Sequence, residues 1–149
     1  MKKILITCVL SVLCLCTKAQ MVTYQFAETI SESQSEITFR VYVFSKSKKT
    51  IEQEAQLAGL RCLMFNGIPD TKFNKPLLEE GEAKTKDNNP EYFDDLYSRR
   101  YTDYVSGCVM KSKFKKSGVD KSTLFEVTVR PFEIRKDLEK NKIKTKLGI

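Results

Sequence analysis

The feature that most limits the fold is a switch of hydrophobic period in the first half of the chain. Across ITFRVYVFS, Ile37, Phe39, Val41 and Val43 occupy every second position, and Thr38, Arg40, Tyr42 and Phe44 make a more mixed set between them. A period of two belongs to a β-strand, and a mixed second face belongs to an antiparallel sheet half open to water. The period then lengthens. In KKTIEQEAQLAGLRCLMFNG, Ile51, Ala55, Ala58, Cys62 and Phe65 are spaced 4, 3, 4, 3. That is a helical stripe, widened by Leu57, Leu60 and Met64. Thr50 or Ser47 is placed to cap the helix, and Glu52 and Glu54 suit its first turn. Asn66-Gly67 closes it and Pro69 prevents continuation. The small residues Ala55, Ala58 and Gly59 let such a helix lie close on a sheet.

The flanking segments extend this pattern. MVTYQFAE alternates through Val22, Tyr24 and Phe26, and the polar TISESQSE joins it to the next strand as a hairpin. Residues 70–90 read as a mobile acidic loop, and residues 79–95 hold seven acidic and two basic side chains. Asn89-Pro90 marks the start of a short helix, PEYFDDLYSRR, that buries Phe93, Leu96 and Tyr97. YTDYVSGCVMKSKF is extended, with Tyr104, Ser106, Cys108 and Met110 on one face. KKSGVDKS is a turn. In TLFEVTVRPF, Phe125, Val127 and Val129 alternate with Glu126, Thr128 and Arg130, and EIRKDLEKNK forms a helix anchored by Ile134 and Leu138 that ends near Asn141. The order ββα-αββα predicts an α+β fold, an antiparallel sheet of about four strands covered on one face by helices.

The N-terminus predicts export. Lys2 and Lys3 precede an apolar run from Ile4 to Cys16, and Thr17-Lys18-Ala19 places small residues for cleavage before Gln20. This is the layout of a signal peptide over residues 1–19, too short to span a bilayer. A lipoprotein signal needs a small residue before the modified cysteine, whereas Cys14 follows Leu13, Cys16 follows Leu15, and Cys8 comes too early. The expected product is a secreted or periplasmic single domain over residues 20–149. Cleavage removes three lysines, so the formal net charge falls from +7 to +4. A mildly basic exported protein meets anionic glycan and lipid surfaces, not nucleic acid. No other apolar run is long enough to span a membrane.

Absent residue types narrow the chemistry. The chain has no histidine, which excludes Ser-His-Asp and Cys-His catalysis and histidine metal sites. Only Cys62 and Cys108 survive processing, too few for a four-cysteine zinc site. There is no tryptophan for sugar stacking and no glycine-rich phosphate loop. No catalytic residue, metal or cofactor is expected.

Four features remain. Cys62 and Cys108 are a candidate disulfide, because exported proteins often pair two cysteines; the alternative is two small buried hydrophobes. Lys111, Lys113, Lys115 and Lys116, with Arg99 and Arg100, form a candidate binding patch for an anionic glycan or lipid headgroup; the plainer reading is a solvated, charged edge strand. Glu79, Glu80, Glu82, Asp94 and Asp95 could run glycoside hydrolysis only if two of them face each other across a cleft. Tyr92, Tyr97, Tyr101 and Tyr104 with Phe93 read first as packing around a short helix, and second as a sugar-stacking or partner face.

The export signal ending Ala19-Gln20 resembles those of secreted proteins of the Bacteroidetes group. The stretches KKTIEQEAQLAGLRCLMFNGIP, YVSG and FEVTVRPFEIRKDLEKNKI resemble small envelope proteins of the flagellar-assembly and surface-lipoprotein α/β domain family. Ile134-Arg135-Lys136-Asp137-Leu138-Glu139 is the best-matching stretch. The resemblance implies an envelope module without catalysis and carries over no functional residues. The expected function is therefore an exported, non-enzymatic module that binds or helps assemble a cell-envelope partner. The alternative is a carboxylate-dependent hydrolase acting on envelope glycan.

Overall fold

The computed structural model describes residues 23–116, 118 and 121–143. The signal-peptide reading falls outside them. Four strands, β1 (Thr23–Glu32), β2 (Ile37–Phe44), β3 (Val105–Met110) and β4 (Thr123–Val129), form one antiparallel sheet in the order β1-β2-β4-β3. Among the described residues four α-helices accompany it: α1 (Ile51–Phe65), α2 (Glu82–Asn88), α3 (Pro90–Ser98) and α4 (Pro131–Lys140). A short 3-10 helix, η1 (Arg100–Asp103), connects α3 to β3. The protein is α+β, as the period switch predicts.

The alternation in β2 and β4 sorts side chains to the two faces. Ile37, Phe39, Val41 and Val43 pair across with Val129, Val127, Phe125 and Thr123, and all are buried under the helices. Thr38, Arg40, Tyr42 and Phe44 lie on the opposite face with Thr128, Glu126 and Leu124. Ser33 fastens the β1–β2 turn, its Oγ accepting from the Glu36 amide at 3.0 Å.

Helix α1 crosses the sheet, and glycine sets its separation. A Cβ on Gly59 would sit 2.6 Å from Val127 Cγ1, so the bare backbone is what allows this approach. The other side of α1 is enclosed as well. Leu60, Arg61, Cys62, Leu63 and Met64 are buried in succession, the Leu78 amide donates to the Met64 carbonyl at 3.0 Å, and the Phe65 ring lies 6.2 Å from that of Phe93 on α3. Gly67 ends the helix with φ of 80°, the left-handed conformation suited to glycine.

Two local expectations need correction. The acidic stretch read as a loop contains α2, and the segment leading into it is anchored by buried Phe73, Leu77 and Leu78. The single face expected for Tyr104, Ser106, Cys108 and Met110 is interrupted by a register shift between Val105 and Gly107. An inserted residue inverts side-chain orientation across it. Tyr104 is buried ahead of the strand and Ser106 is exposed, while Cys108 and Met110 share the helix side with their partners Val127 and Phe125.

Candidate functional site

Among the described residues, the helices cover one face of the sheet, and the other face carries exposed and half-buried side chains. Its register sets side chains in rows. In one row Glu28 on β1 pairs with Arg40 on β2 at 2.6 Å, Arg40 pairs with Glu126 on β4 at 3.1 Å, and Lys111 beyond β3 approaches Glu126 at 3.8 Å. The alternating signs form a charge ladder across the sheet, the cross-strand arrangement that stabilises such faces. One step along, Thr38 and Thr128 share a hydrogen bond of 2.9 Å. In the other direction lie Tyr42 (38% exposed), Leu124 and Phe44, with Val109 (54% exposed) beside Glu126 at the edge. Exposed apolar and aromatic side chains thus flank a polar ladder.

The predicted basic patch divides in two. Lys111, Lys113, Lys115 and Lys116 are exposed beyond the end of β3, while Ser112 and Phe114 turn inward, so the predicted alternation holds. The Lys111 amide still donates to the Leu124 carbonyl at 2.8 Å, and the Lys115 amide to Thr123 Oγ1 at 3.0 Å, which keeps this extension against β4. Arg99 and Arg100 lie before the other end of β3. At about 3.3 Å per residue, the strand separates the two groups by about 20 Å, so they do not form one site.

Both arginines are also engaged. Arg99 pairs with Asp95. Arg100 Nε reaches Asp95 Oδ2 at 2.5 Å, and its Nη1 reaches Asp137 Oδ2 at 3.0 Å. Tyr92 Oη donates to the same Asp137 oxygen at 2.7 Å, and the Arg100 guanidinium lies over the Tyr92 ring at 5.1 Å. This network ties α3 and η1 to α4. Burial alone would raise the Asp137 pKa, but the hydrogen bonds from Tyr92 and Arg100 outweigh it and hold the carboxyl below its ordinary range. Asp95 is held low by Arg99 and then Arg100. Burial and the Asp137 hydrogen bond push the Tyr92 phenol up.

A second network was not foreseen. Arg61, its side chain 7% exposed, donates from Nη2 to Glu82 Oε2 at 2.7 Å and from Nε to the same oxygen at 3.0 Å. Tyr97 Oη donates to Glu82 Oε1 at 3.2 Å, and the Arg61 guanidinium lies over the Tyr24 ring at 5.3 Å. A signal was present: an arginine within an unbroken apolar run, LRCLMF, needs a carboxylate partner once that run is buried on all sides. The nearby acidic segment supplies it.

These networks account for much of the carboxylate set. Glu82 and Asp95 are bound to arginines, Glu80 pairs with Lys84 at 2.9 Å, and Glu79 and Asp94 are exposed. The tyrosines are packing: Phe93 and Tyr104 are buried, Tyr92, Tyr97 and Tyr101 are half-buried, and Tyr92 and Tyr97 meet Phe93 edge-on at 5.1 and 5.6 Å. Among the described residues, no group of three or more acidic or cysteine side chains is arranged to hold a metal ion.

Cys62 and Cys108 are free thiols. Cys108 Sγ lies 3.9 Å from the Glu52 carbonyl near the start of α1, whereas Cys62 Sγ lies 3.8 Å from the Gly67 carbonyl just past its end. At 1.5 Å rise per residue, Glu52 and Cys62 are about 15 Å apart along the helix axis, far beyond the reach of a disulfide. The candidate bond is therefore not formed. Burial pushes each thiol up to about 12, which leaves little reactive thiolate at neutral pH.

An open cleft of about 440 Å³ lies between the β1–β2 turn and the start of α4. It is lined by Ser35, Glu36, Asp103, Tyr104, Arg130, Phe132 and Glu133. Arg130 is turned toward Glu36 there, at 3.4 Å. Among the described residues, no helix is long and apolar enough to cross a membrane. No family model, curated protein or solved structure matches this chain.

Proposed function

We propose that this chain is an exported, non-enzymatic module of the cell envelope that binds an envelope partner through the uncovered face of its sheet. The observation that carries the reading is the one-sided covering of the sheet among the described residues. One face is sealed by helices, and the other presents Tyr42, Leu124, Phe44 and Val109 beside the Glu28–Arg40–Glu126–Lys111 ladder. A flat surface with an aromatic residue and a basic margin suits docking better than bond cleavage. The carboxylates point the same way. Hydrolysis of glycan needs a carboxyl kept protonated as general acid, whereas hydrogen bonds from Arg99 and Arg100 hold Asp95 low and those from Tyr92 and Arg100 hold Asp137 low. The expected export signal and the sequence resemblance to envelope domains support the compartment of this reading.

The test is retention on isolated envelopes of the native host. Mature chain carrying Tyr42→Asp and Val109→Asp should lose retention while keeping the native circular dichroism spectrum. Equal retention by wild type and variant would remove the open face from the mechanism. Release of reducing sugar from the same envelopes would favour the hydrolase instead.

A further inference from the structure

We infer that the β3 edge takes an extended acidic segment of another polypeptide as a fifth strand. The inference rests on the reading of the chain as a binding module, and adds the edge beside the open face as a second contact.

The two outer strands are not equivalent. β1 carries two register shifts, between Phe26 and Glu28 and between Thr29 and Ser31. Such bulges break an edge against further pairing. β3 has one shift, at its start, and from Gly107 to Met110 it pairs regularly with β4. The Lys111 amide donates inward to Leu124. By antiparallel alternation, Gly107, Val109 and Lys111 turn their backbone groups toward β4, and Cys108 and Met110 turn theirs outward. No strand of the described residues pairs on that outer side. The side chains fit the same use. Val109 and Met110 are 54% and 40% exposed, one toward the open face and one toward the helix side, so an added strand would find apolar contact on both faces.

Charge selects the occupant. Lys111, Lys113, Lys115 and Lys116 continue directly from this edge, and only Lys111 has a carboxylate within ion-pair distance among the described residues, at 3.8 Å. A second copy pairing edge to edge would offer, from its own Val105–Met110, no acid to meet these lysines. An acidic strand would answer them instead, with main-chain bonds giving affinity and alternate side chains giving selectivity.

The probe is a fluorescein-labelled hexapeptide of alternating glutamate and valine, with its lysine–valine counterpart as control. The acidic peptide should bind the mature chain, weaken with added salt, and slow amide exchange at Cys108 and Met110. Met110→Pro removes one outward N–H without touching a bond to β4 and should abolish binding. Lys113→Glu with Lys115→Glu, both at exposed positions, should weaken it about tenfold. Equal binding of both peptides would overturn the acidic partner. Binding unchanged in both variants, or protection only on the Tyr42 face, would overturn the edge. Protection of Cys108 and Met110 that grows with protein concentration in the absence of peptide would assign the edge to a second copy and overturn the inference. Envelope retention lost with Tyr42→Asp but indifferent to Met110→Pro would leave the open-face reading standing while the edge falls.

Discussion

The closeness of α1 to the sheet can be tested at a single atom. Gly59→Ala adds a Cβ at 2.6 Å from Val127 Cγ1 and 3.3 Å from Val127 Cβ, where carbon contacts settle at about 3.5–4.0 Å. Val127 is fully buried, lies between Phe39 and Cys108 on a central strand, and as a β-branched residue has few rotamers to escape into. The helix must therefore lift. Overpacking of this kind costs about 1–3 kcal/mol, against about 1 kcal/mol gained from replacing glycine within a helix. The net expectation is a loss of about 1 kcal/mol in urea unfolding followed by circular dichroism. The decisive comparison uses Val127→Ala, which alone should cost about 2 kcal/mol but opens the space the new methyl needs. In that background Gly59→Ala should become neutral or stabilising, a coupling of about 1–2 kcal/mol. A stabilising Gly59→Ala in the native background, or the same effect in both backgrounds, would refute the argument that this contact sets the layer spacing.

Three further outcomes are expected. Asp137 is ionised at a depressed pKa in the folded chain, so its contribution is present above the unfolded carboxyl value of about 3.9 and is lost as pH falls through the lower folded value. Asp137→Asn should cost about 2 kcal/mol at pH 7 and flatten the acid limb of the stability profile; an unchanged limb would count against it. Native protein should react slowly with a thiol reagent at pH 8 and release both Cys62 and Cys108 on unfolding, because burial pushes both thiols up to about 12; a fast native reaction, or a mass gain of about 2 Da on reduction, would contradict two free thiols, Cys62 buried and Cys108 half-buried. Gly67→Ala should destabilise through its positive φ and through a Cβ placed 2.6 Å from the Asn74 carbonyl, by at least about 1 kcal/mol in the same urea assay; an unchanged midpoint would show that the turn relaxes.

What could be read in advance follows from how far each signal reaches along the chain. The alternation at 37–43 and 125–129 and the stripe from Ile51 to Cys62 are local patterns that one buried face imposes on neighbouring residues, and each matches the structure. Helix α2 escaped because Glu82–Asn88 is mostly polar, with Thr85 its only buried residue; its hold on the fold comes from Glu82 reaching Arg61, a partner 21 positions away. The β3 bulge escaped because alternation assumes an unbroken register. The split of the basic patch escaped because residues close in sequence at 99–116 are set apart by an extended strand.

The sequence alone determined the class of the fold, the positions of its main helix and central strands, and the chemistries barred by the missing histidine. These depend on composition and on periods shorter than one element. Tertiary structure decided the strand order, which brings β4 between β2 and β3 and leaves β3 as an outer edge. It also decided that the described helices all cover the same sheet face, that Arg61 is buried against Glu82, and that Cys62 and Cys108 lie toward opposite ends of α1. Each of these is a relation between residues far apart in the chain, set by which surfaces bury the most apolar area when the elements pack.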